Sequence, residues 1–426
     1  MEKPLKELYD DLRVAHSMQA GRGGSGAVDE SFVLRLSHLL LSYGVAAKAS
    51  DIHIEPTVEG AQIRYRVDGI LHQMIQVPPE TRDALIRSIK LKASMTTEPA
   101  GRSRPQDGRI DFEVNGRALD LRLSSFPTLF GDVLAIRVLD RSRGVLPLEQ
   151  IGLPPELLAT LTSLARRPNG LLLVTGPAGS GKTTTLYAAL DLLRSPDIKI
   201  VTLEDPVECQ MEGVDQAQIN PGVGLTFASG LRAVLRQDAN IILVGEIRDQ
   251  ETADIAIRAA LTGHLVLSTM HTRNSLGAAT RLIEMGIEPY LILASVSGVV
   301  AQRLVRVICP HCRAPDPAAE PAFVSLWKQE TSAAPPETAL ASLTRGAGCA
   351  ACNRTGYHGR VGIFELLILT DELKQLILER ASGQLYRSVK ATRALETMLL
   401  NGLEKAAQGL TTVAEVLRVI GETEEA

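Results

Sequence analysis

Aromatic residues make up only 4% of the 426-residue chain, with a single tryptophan. A protein that holds single-stranded nucleic acid by stacking bases on aromatic rings needs more of them. Basic residues are not in excess either: 45 Lys and Arg against 49 Asp and Glu leave a formal charge of −4, so the chain as a whole is no polyanion binder. The most apolar stretch, Leu291 to Ala301, is too short to span a bilayer and is closed by Gln302-Arg303. The N-terminus, Met1-Glu2-Lys3-Pro4-Leu5-Lys6-Glu7, lacks the apolar core of a secretion signal. These absences predict a cytoplasmic protein that binds no nucleic acid and meets a membrane only through partners. Cysteines number five, and four of them form two C-x-x-C pairs, Cys309 with Cys312 and Cys349 with Cys352. That usage fits a cytosolic metal site better than a secreted disulfide framework.

What the chain does have is a phosphate-binding loop. Leu171-Leu172-Leu173-Val174 is short, β-prone and bounded by Asn169-Gly170 and by glycine, which predicts a buried strand. Gly176-Pro177-Ala178-Gly179-Ser180-Gly181-Lys182-Thr183-Thr184 follows, and from Thr183 to Leu193 apolar residues recur at helical spacing. Strand, G-x-x-x-x-G-K-T loop and helix is the context such a loop requires. The glycines let consecutive N–H groups face one anion, and the helix N-terminus adds partial positive charge. Lys182 is expected to reach the β- and γ-phosphates of ATP, and the Thr183 hydroxyl to ligate Mg²⁺.

Taken in order, residues 1–20 predict a short amphipathic helix, and Gly21-Arg22-Gly23-Gly24-Ser25-Gly26 a flexible linker. A domain is expected from Val28, opening with a helix that carries Phe32, Leu36 and Leu40. Alternation follows in Ile52-His53-Ile54-Glu55 and in Gln62 to Val67, and Asp68-Gly69 is a hairpin signal. A helix over Asp83 to Ala93, a polar loop over Arg102 to Arg109 and strands Leu119–Ser124 and Val133–Val138 complete a small α+β domain. Asp140 to Leu153, rich in Gly, Pro and Arg, is expected to join it to the nucleotide domain.

Three further buried strands are predicted beyond the loop: Ile198–Leu203, Ile241–Val244 and Leu265–Thr269. Alternating with helices, they imply a mostly parallel sheet with ligands at the carboxyl ends of its strands. Glu204-Asp205-Pro206-Val207-Glu208 ends one strand, and Gly245-Glu246-Ile247-Arg248-Asp249 ends the next. Phosphoryl transfer to water needs Mg²⁺ against the phosphates and a carboxylate to orient the water, and Glu246, Glu204 and Glu208 stand where both are needed. His264 and His271 flank the last strand, and a sensing or hydrogen-bonding role at the phosphate end is expected, beside the alternatives of a two-histidine metal site and an inert core histidine. The two C-x-x-C knuckles offer the ligand set of a structural Zn²⁺, with redox chemistry as the competing reading. Cys209 stands outside both pairs. From Val361 the chain is expected to turn helical, with a helix starting at Thr370-Asp371-Glu372 and a capping box at Thr412-Val413-Ala414-Glu415.

In sequence these motifs closely resemble the secretion ATPases that drive type II secretion and type IV pilus assembly, from about Ser50 to Ile420. Ser50 to Pro56, Ile63 to Gly69 and Pro105 to Arg109 are similar to that family's second N-terminal domain. Glu204 to Glu208 resembles its aspartate box, Gly245 to Asp249 its Walker B segment, and Thr262 to Thr272 its histidine box, which brings His271 into the catalytic set. The resemblance implies an α/β fold: a RecA-like P-loop domain with a parallel sheet, preceded by a small α+β (PAS-like) domain and followed by a four-cysteine zinc subdomain and a helical C-terminus. The expected divisions are 1–27, 28–140, 141–153, 154–304, 305–360 and 361–426.

The same resemblance implies a homohexamer that hydrolyses ATP to extend a pilus or pseudopilus, with the inner-membrane platform and cytoplasmic-domain proteins of the machine as partners. It further implies that Arg122 and Arg137 reach over the phosphates and that Arg232 and Arg236 bridge subunits or domains. Departures are the short segment before the linker, where the family carries a platform-docking domain, the missing acid near Gly101, and Asn240 in place of an aspartate before the Walker B strand. Rival readings are a retraction motor, which typically lacks the four cysteines, a DNA-uptake motor, a nonhydrolysing nucleotide-gated scaffold, and a nucleic-acid translocase.

Overall fold

Period-two patterning governs the first part of the chain. In the computed structural model, which describes residues 4–20, 30–97, 104–140, 144–369, 374–375 and 396–421, strand β1 (Asp51–Thr57) buries every second side chain. It joins β2 (Gly60–Val67), β3 (Ile70–Val77), β4 (Gln106–Val114), β5 (Arg117–Thr128) and β6 (Gly131–Leu139) in a sheet of order β3-β2-β1-β6-β5-β4, every pair antiparallel. Asp68 and Gly69 both take positive φ, 49° and 86°, and make the tight β2–β3 hairpin that this dipeptide predicts. Helices Leu5–Ala20, Glu30–Ala46 and Pro79–Lys92 supply the rest of the core, in which Leu36, Leu40, Ile52, Ile54, Ile63 and Leu85 are fully buried. Leu5 and Tyr9 belong to that core, so the first helix packs into this unit. The glycine linker at 21–26, the boundary at Val28, Gly101 and the helix start at 370–372 lie outside the described residues.

The chain divides into two compact units, Met1–Gly144 and Val145–Ala426. The second is built on β7 (Gly170–Thr175), β8 (Ile200–Glu204), β9 (Asp215–Gln218), β10 (Ile241–Val244), β11 (Leu265–Met270), β12 (Val296–Ile308) and, after a ribbon of β13 (Arg313–Pro315) and β14 (Thr344–Gly346), β15 (Tyr357–Leu367). The order is β15-β12-β7-β11-β10-β8-β9, parallel throughout except for β12 with β15. Every residue of β7, β8, β10 and β11 is buried, because helices cover both faces. The two faces carry separate apolar clusters, one around Leu231, Ile242 and Val266, the other around Leu172, Leu190 and Leu267.

Two expectations are corrected here. Leu148 and Ile151 are buried in the second of those clusters, so much of the stretch expected to be a linker is packed core; its residues 141–143 lie outside the described residues. Residues Val361 to Leu367, expected to be helical, are instead the second half of β15. A short apolar run carries no period that separates strand from helix, and pairing with β12 decided it. Helices Met398–Ala407 and Val413–Gly421 close the chain, the latter capped by the Thr412 hydroxyl, which accepts the Glu415 N–H at 3.1 Å. Among the described residues no helix is long and apolar enough to cross a membrane.

Candidate active site

The glycine loop between β7 and the helix Lys182–Leu193 has the backbone that its sequence demands. Gly176 and Gly181 take φ of 153° and 88°. A Cβ on Gly176 would come within 2.6 Å of the Gln302 carbonyl and one on Gly181 within 3.0 Å of the Gln302 amide nitrogen, so no side chain fits at either point. The Ser180 hydroxyl is buried without a hydrogen-bond partner, an orphaned polar group of the kind a phosphate oxygen satisfies. Lys182 Nζ is folded back on the loop and donates to the carbonyls of Gly176 and Pro177 at 2.8 and 2.9 Å. Burial draws its ammonium down to about 8; the Glu246 carboxylate opposes that and the Arg303 charge adds to it.

Because β7, β8, β10 and β11 run parallel, the segments that follow them meet at one end of the sheet. They line a pocket of about 150 Å³ with Lys182, Thr183, Glu204, Asp205, Glu208, Glu246 and His271. Pro177, Ala178, Gly179 and Thr184 complete the loop without lining that pocket. Glu246 enters the pocket from the turn after β10. Its side chain is 13% exposed, with Arg248 at 2.5 Å from Oε1 and His271 Nε2 at 3.7 Å from Oε2. The turn that presents it is tied down by the Gly245 N–H on the Leu203 carbonyl and by the Thr269 hydroxyl on the Gly245 carbonyl, both at 2.7 Å. His271 is lowered below the ordinary imidazole range by burial first and then by Lys182, which leaves it neutral near pH 7.

The other two acids differ from one another. Glu204 is buried, and its carboxylate accepts from the hydroxyls of Tyr187 and Thr202 and from the Gln216 amide. Glu208 lines the pocket from the loop after β8, its own N–H donating to the Tyr187 hydroxyl at 3.2 Å. His264 is not at the phosphate end: it precedes β11, at the opposite edge of the sheet, with its Nδ1 3.1 Å from the Ala259 carbonyl. A six-residue strand spans roughly 20 Å, so only His271 serves the pocket. Asn240 has a local purpose, since its Oδ1 accepts the Lys199 N–H at 2.7 Å and ties β8 to β10. Arg232 pairs with Glu251, and Arg236 donates to the Arg232 carbonyl. Arg122 and Arg137 belong to the first unit, where they sit directly opposite each other across β5 and β6.

Sequence reading missed Gln302, Arg303, Tyr187 and Phe227. Gln302 and Arg303 were visible only as the polar end of an apolar run, which is in fact the end of the helix Pro289–Ser295 followed by the first half of β12. Phe227 lines the pocket from the start of its helix, with no motif to mark it.

The cysteine pairs converge within the second unit. Cys309 and Cys349 are 3.8 Å apart at sulfur, Cys312 and Cys352 3.8 Å, and Cys349 and Cys352 3.7 Å. Four sulfurs at ~2.3 Å from a central ion on tetrahedral corners are separated by ~3.8 Å, so the cluster has the dimensions of a zinc site. The Cys312 sulfur accepts the Gly348 N–H, and the Cys352 sulfur those of Cys349 and Gly356, bonds that favour thiolates. Cys209 lies apart from the cluster, with its sulfur 3.5 Å from the Gln210 carbonyl.

The chain is similar to known proteins over most of its length. The chain is 44% identical over 418 residues to the type II secretion system protein HxcR of Pseudomonas aeruginosa, covering 98% of this chain and 82% of that one. It is 43% identical over 399 residues to the type II secretion system ATPase E of Vibrio cholerae, covering 93% and 76%. A crystal structure of the pilus retraction motor PilT with bound ADP superimposes with a TM-score of 0.59 at 26% identity, over 91% of this chain and 98% of that one. The model of the family described as type II/IV secretion system protein matches residues 26–418, and the chain belongs to that family.

Proposed function

We propose that this chain hydrolyses ATP in the pocket between the glycine loop and Glu246 and couples the reaction to assembly of a type II secretion pseudopilus or a type IV pilus. The observation that carries this reading is one pocket holding Lys182, Thr183 and the 13%-exposed Glu246, contributed by the ends of separate buried elements. The loop N–H groups and Lys182 hold the phosphates, and Thr183 and Glu246 hold Mg²⁺. When bound, the ion neutralises charge that develops on the transferred phosphoryl group. Glu208 orients the attacking water. Glu204, with both oxygens already accepting hydrogen bonds, fixes the Tyr187 hydroxyl on which the Glu208 backbone rests. His271 stands beside the Glu246 carboxylate, 3.7 Å from Oε2. Arg122 and Arg137 supply positive charge from the first unit, and Arg232 and Arg236 act between subunits or domains.

The working form in this reading is a cytoplasmic homohexamer held at the inner membrane by platform partners, with Zn²⁺ on Cys309, Cys312, Cys349 and Cys352. Extension is favoured over retraction by the four-sulfur cluster and by relatives named as type II secretion proteins. Phosphate release by purified protein tests the core of the reading. Lys182→Ala and Glu246→Gln are each expected to lower kcat by about 100-fold or more; near-normal turnover in either would refute it.

A further inference from the structure

Gln302 and Arg303 lie in the middle of β12 and are buried, at 1% and 4% exposed. Neighbouring positions on that strand carry Val299, Val300, Ala301 and Val305, which fill space without desolvating a polar group. An amide and a guanidinium there cost free energy unless each is hydrogen-bonded, so their bonds show what they are for. The Gln302 amide nitrogen donates to the Ser180 carbonyl at 2.8 Å, and its Oε1 accepts from the Thr185 hydroxyl at 2.7 Å. One side chain therefore spans the glycine loop and the first turn of the helix behind it. Arg303 donates to the Gln302 carbonyl at 2.9 Å and to the Arg273 carbonyl at 2.5 Å, in the turn just past His271. The carboxylate that most influences its charge, Glu365, is itself accepting the N–H and hydroxyl of Ser275. A guanidinium thus stands beside the residue that holds the phosphate loop, bonded to the Gln302 and Arg273 carbonyls, and its charge acts to lower Lys182.

We propose that Gln302 and Arg303 are positioning residues of the phosphate site. Gln302 holds the loop in the curvature that lets its N–H groups converge on one anion. Arg303 holds the His271 turn and keeps positive charge behind that anion. Two adjacent residues of one strand set two walls of the pocket. The inference rests on the reading of the pocket as a nucleotide site.

The test uses the full chain and four variants, with the Kd for a fluorescent ADP analogue in Mg²⁺, KM and kcat for ATP, and the unfolding midpoint without nucleotide. Gln302→Met keeps the volume and removes both bonds, and is expected to weaken ADP binding about 10-fold. Gln302→Glu keeps the acceptor for Thr185 but loses the donor to Ser180 and sets a carboxylate behind the loop; about 100-fold is expected. Arg303→Met is expected to raise KM about 10-fold, whereas Arg303→Lys, which keeps the charge, recovers most of that loss. Arg303→Met also moves the alkaline limit of ADP binding to higher pH, because Lys182 loses a repelling neighbour. If the residues only brace the fold, the midpoint falls while the Kd of the folded variants stays at the wild-type value, and the proposal is overturned. Should Gln302→Met not fold, Gln302→Glu and Arg303→Lys carry the same comparison. Wild-type protein that binds no ADP overturns the nucleotide reading with it; wild-type binding matched by all four variants overturns this inference alone.

Discussion

Lys182 ties nucleotide binding to pH. Its ammonium is drawn by burial to about 8, far below the ordinary lysine value of 10.5. An anion is attracted by the protonated form, which in the free protein is lost as pH rises through about 8. Affinity for ADP is therefore expected to fall from about pH 7 to about pH 9, well before surface lysines titrate. Binding followed across that range checks it, and affinity that stays level to pH 9 would show that the lysine is not desolvated as described. The same residue was plain in the sequence, because spacing alone marks a phosphate-loop lysine. Gln302 was not: no spacing links it to Ser180, 122 positions away, and only the pairing of β12 with β7 brings them together.

Among the elements, β12 joins most of the second unit. It pairs with β7 and β15, carries Gln302 and Arg303, and runs to Cys309. Near its end, Arg306 bonds the Glu415 carboxylate through Nη2 at 2.7 Å and lies 4.0 Å over the Tyr357 ring, while Arg418 holds the same carboxylate. Burial alone raises a carboxyl, but these two guanidiniums outweigh it and hold Glu415 at about 2, against an ordinary 4.5. A carboxylate depressed by folding contributes stability that is complete above about 4.5 and is lost as pH falls towards about 2. Glu415→Gln is expected to cost roughly 3 kcal/mol at neutral pH and to flatten that acid limb. Denaturant melts at pH 7 and at about pH 3 measure both. A variant that loses as much at the lower pH as at the higher would refute the linkage. The capping box of this helix was legible from Thr412 and Glu415, but the partners on β12 were not.

At the scale of the whole molecule, the chain is two units with separate cores. Arg122 and Arg137 are adjacent on the first unit's sheet, with Asp120 at 3.7 Å from one and Asp51 at 3.3 Å from the other. If they supply charge to the transferred phosphoryl group, Arg122→Ala and Arg137→Ala lower kcat by about 100-fold or more while ADP affinity changes far less. Equal losses in affinity and kcat would make them ground-state binding residues instead. As an ATP hydrolase of the secretion and pilus motor superfamily, the chain has its phosphate loop in one unit and these arginines in the other.

The class of fold and the candidate residues of the pocket were legible from local patterns along the chain. Glycine spacing, strand-end acids and paired cysteines are local patterns, each matching the geometry of a ligand it could hold. Apolar runs separated by helical segments likewise imply a parallel sheet. Which of these residues meet depends on the packing of distant elements. It placed His271 in the pocket and His264 at the far edge, made a strand of Val361 to Leu367, and packed Leu148 and Ile151 into core. It also set Gln302 against the glycine loop. Strand order and register are set by the packing of whole faces, and no short window of sequence contains that information.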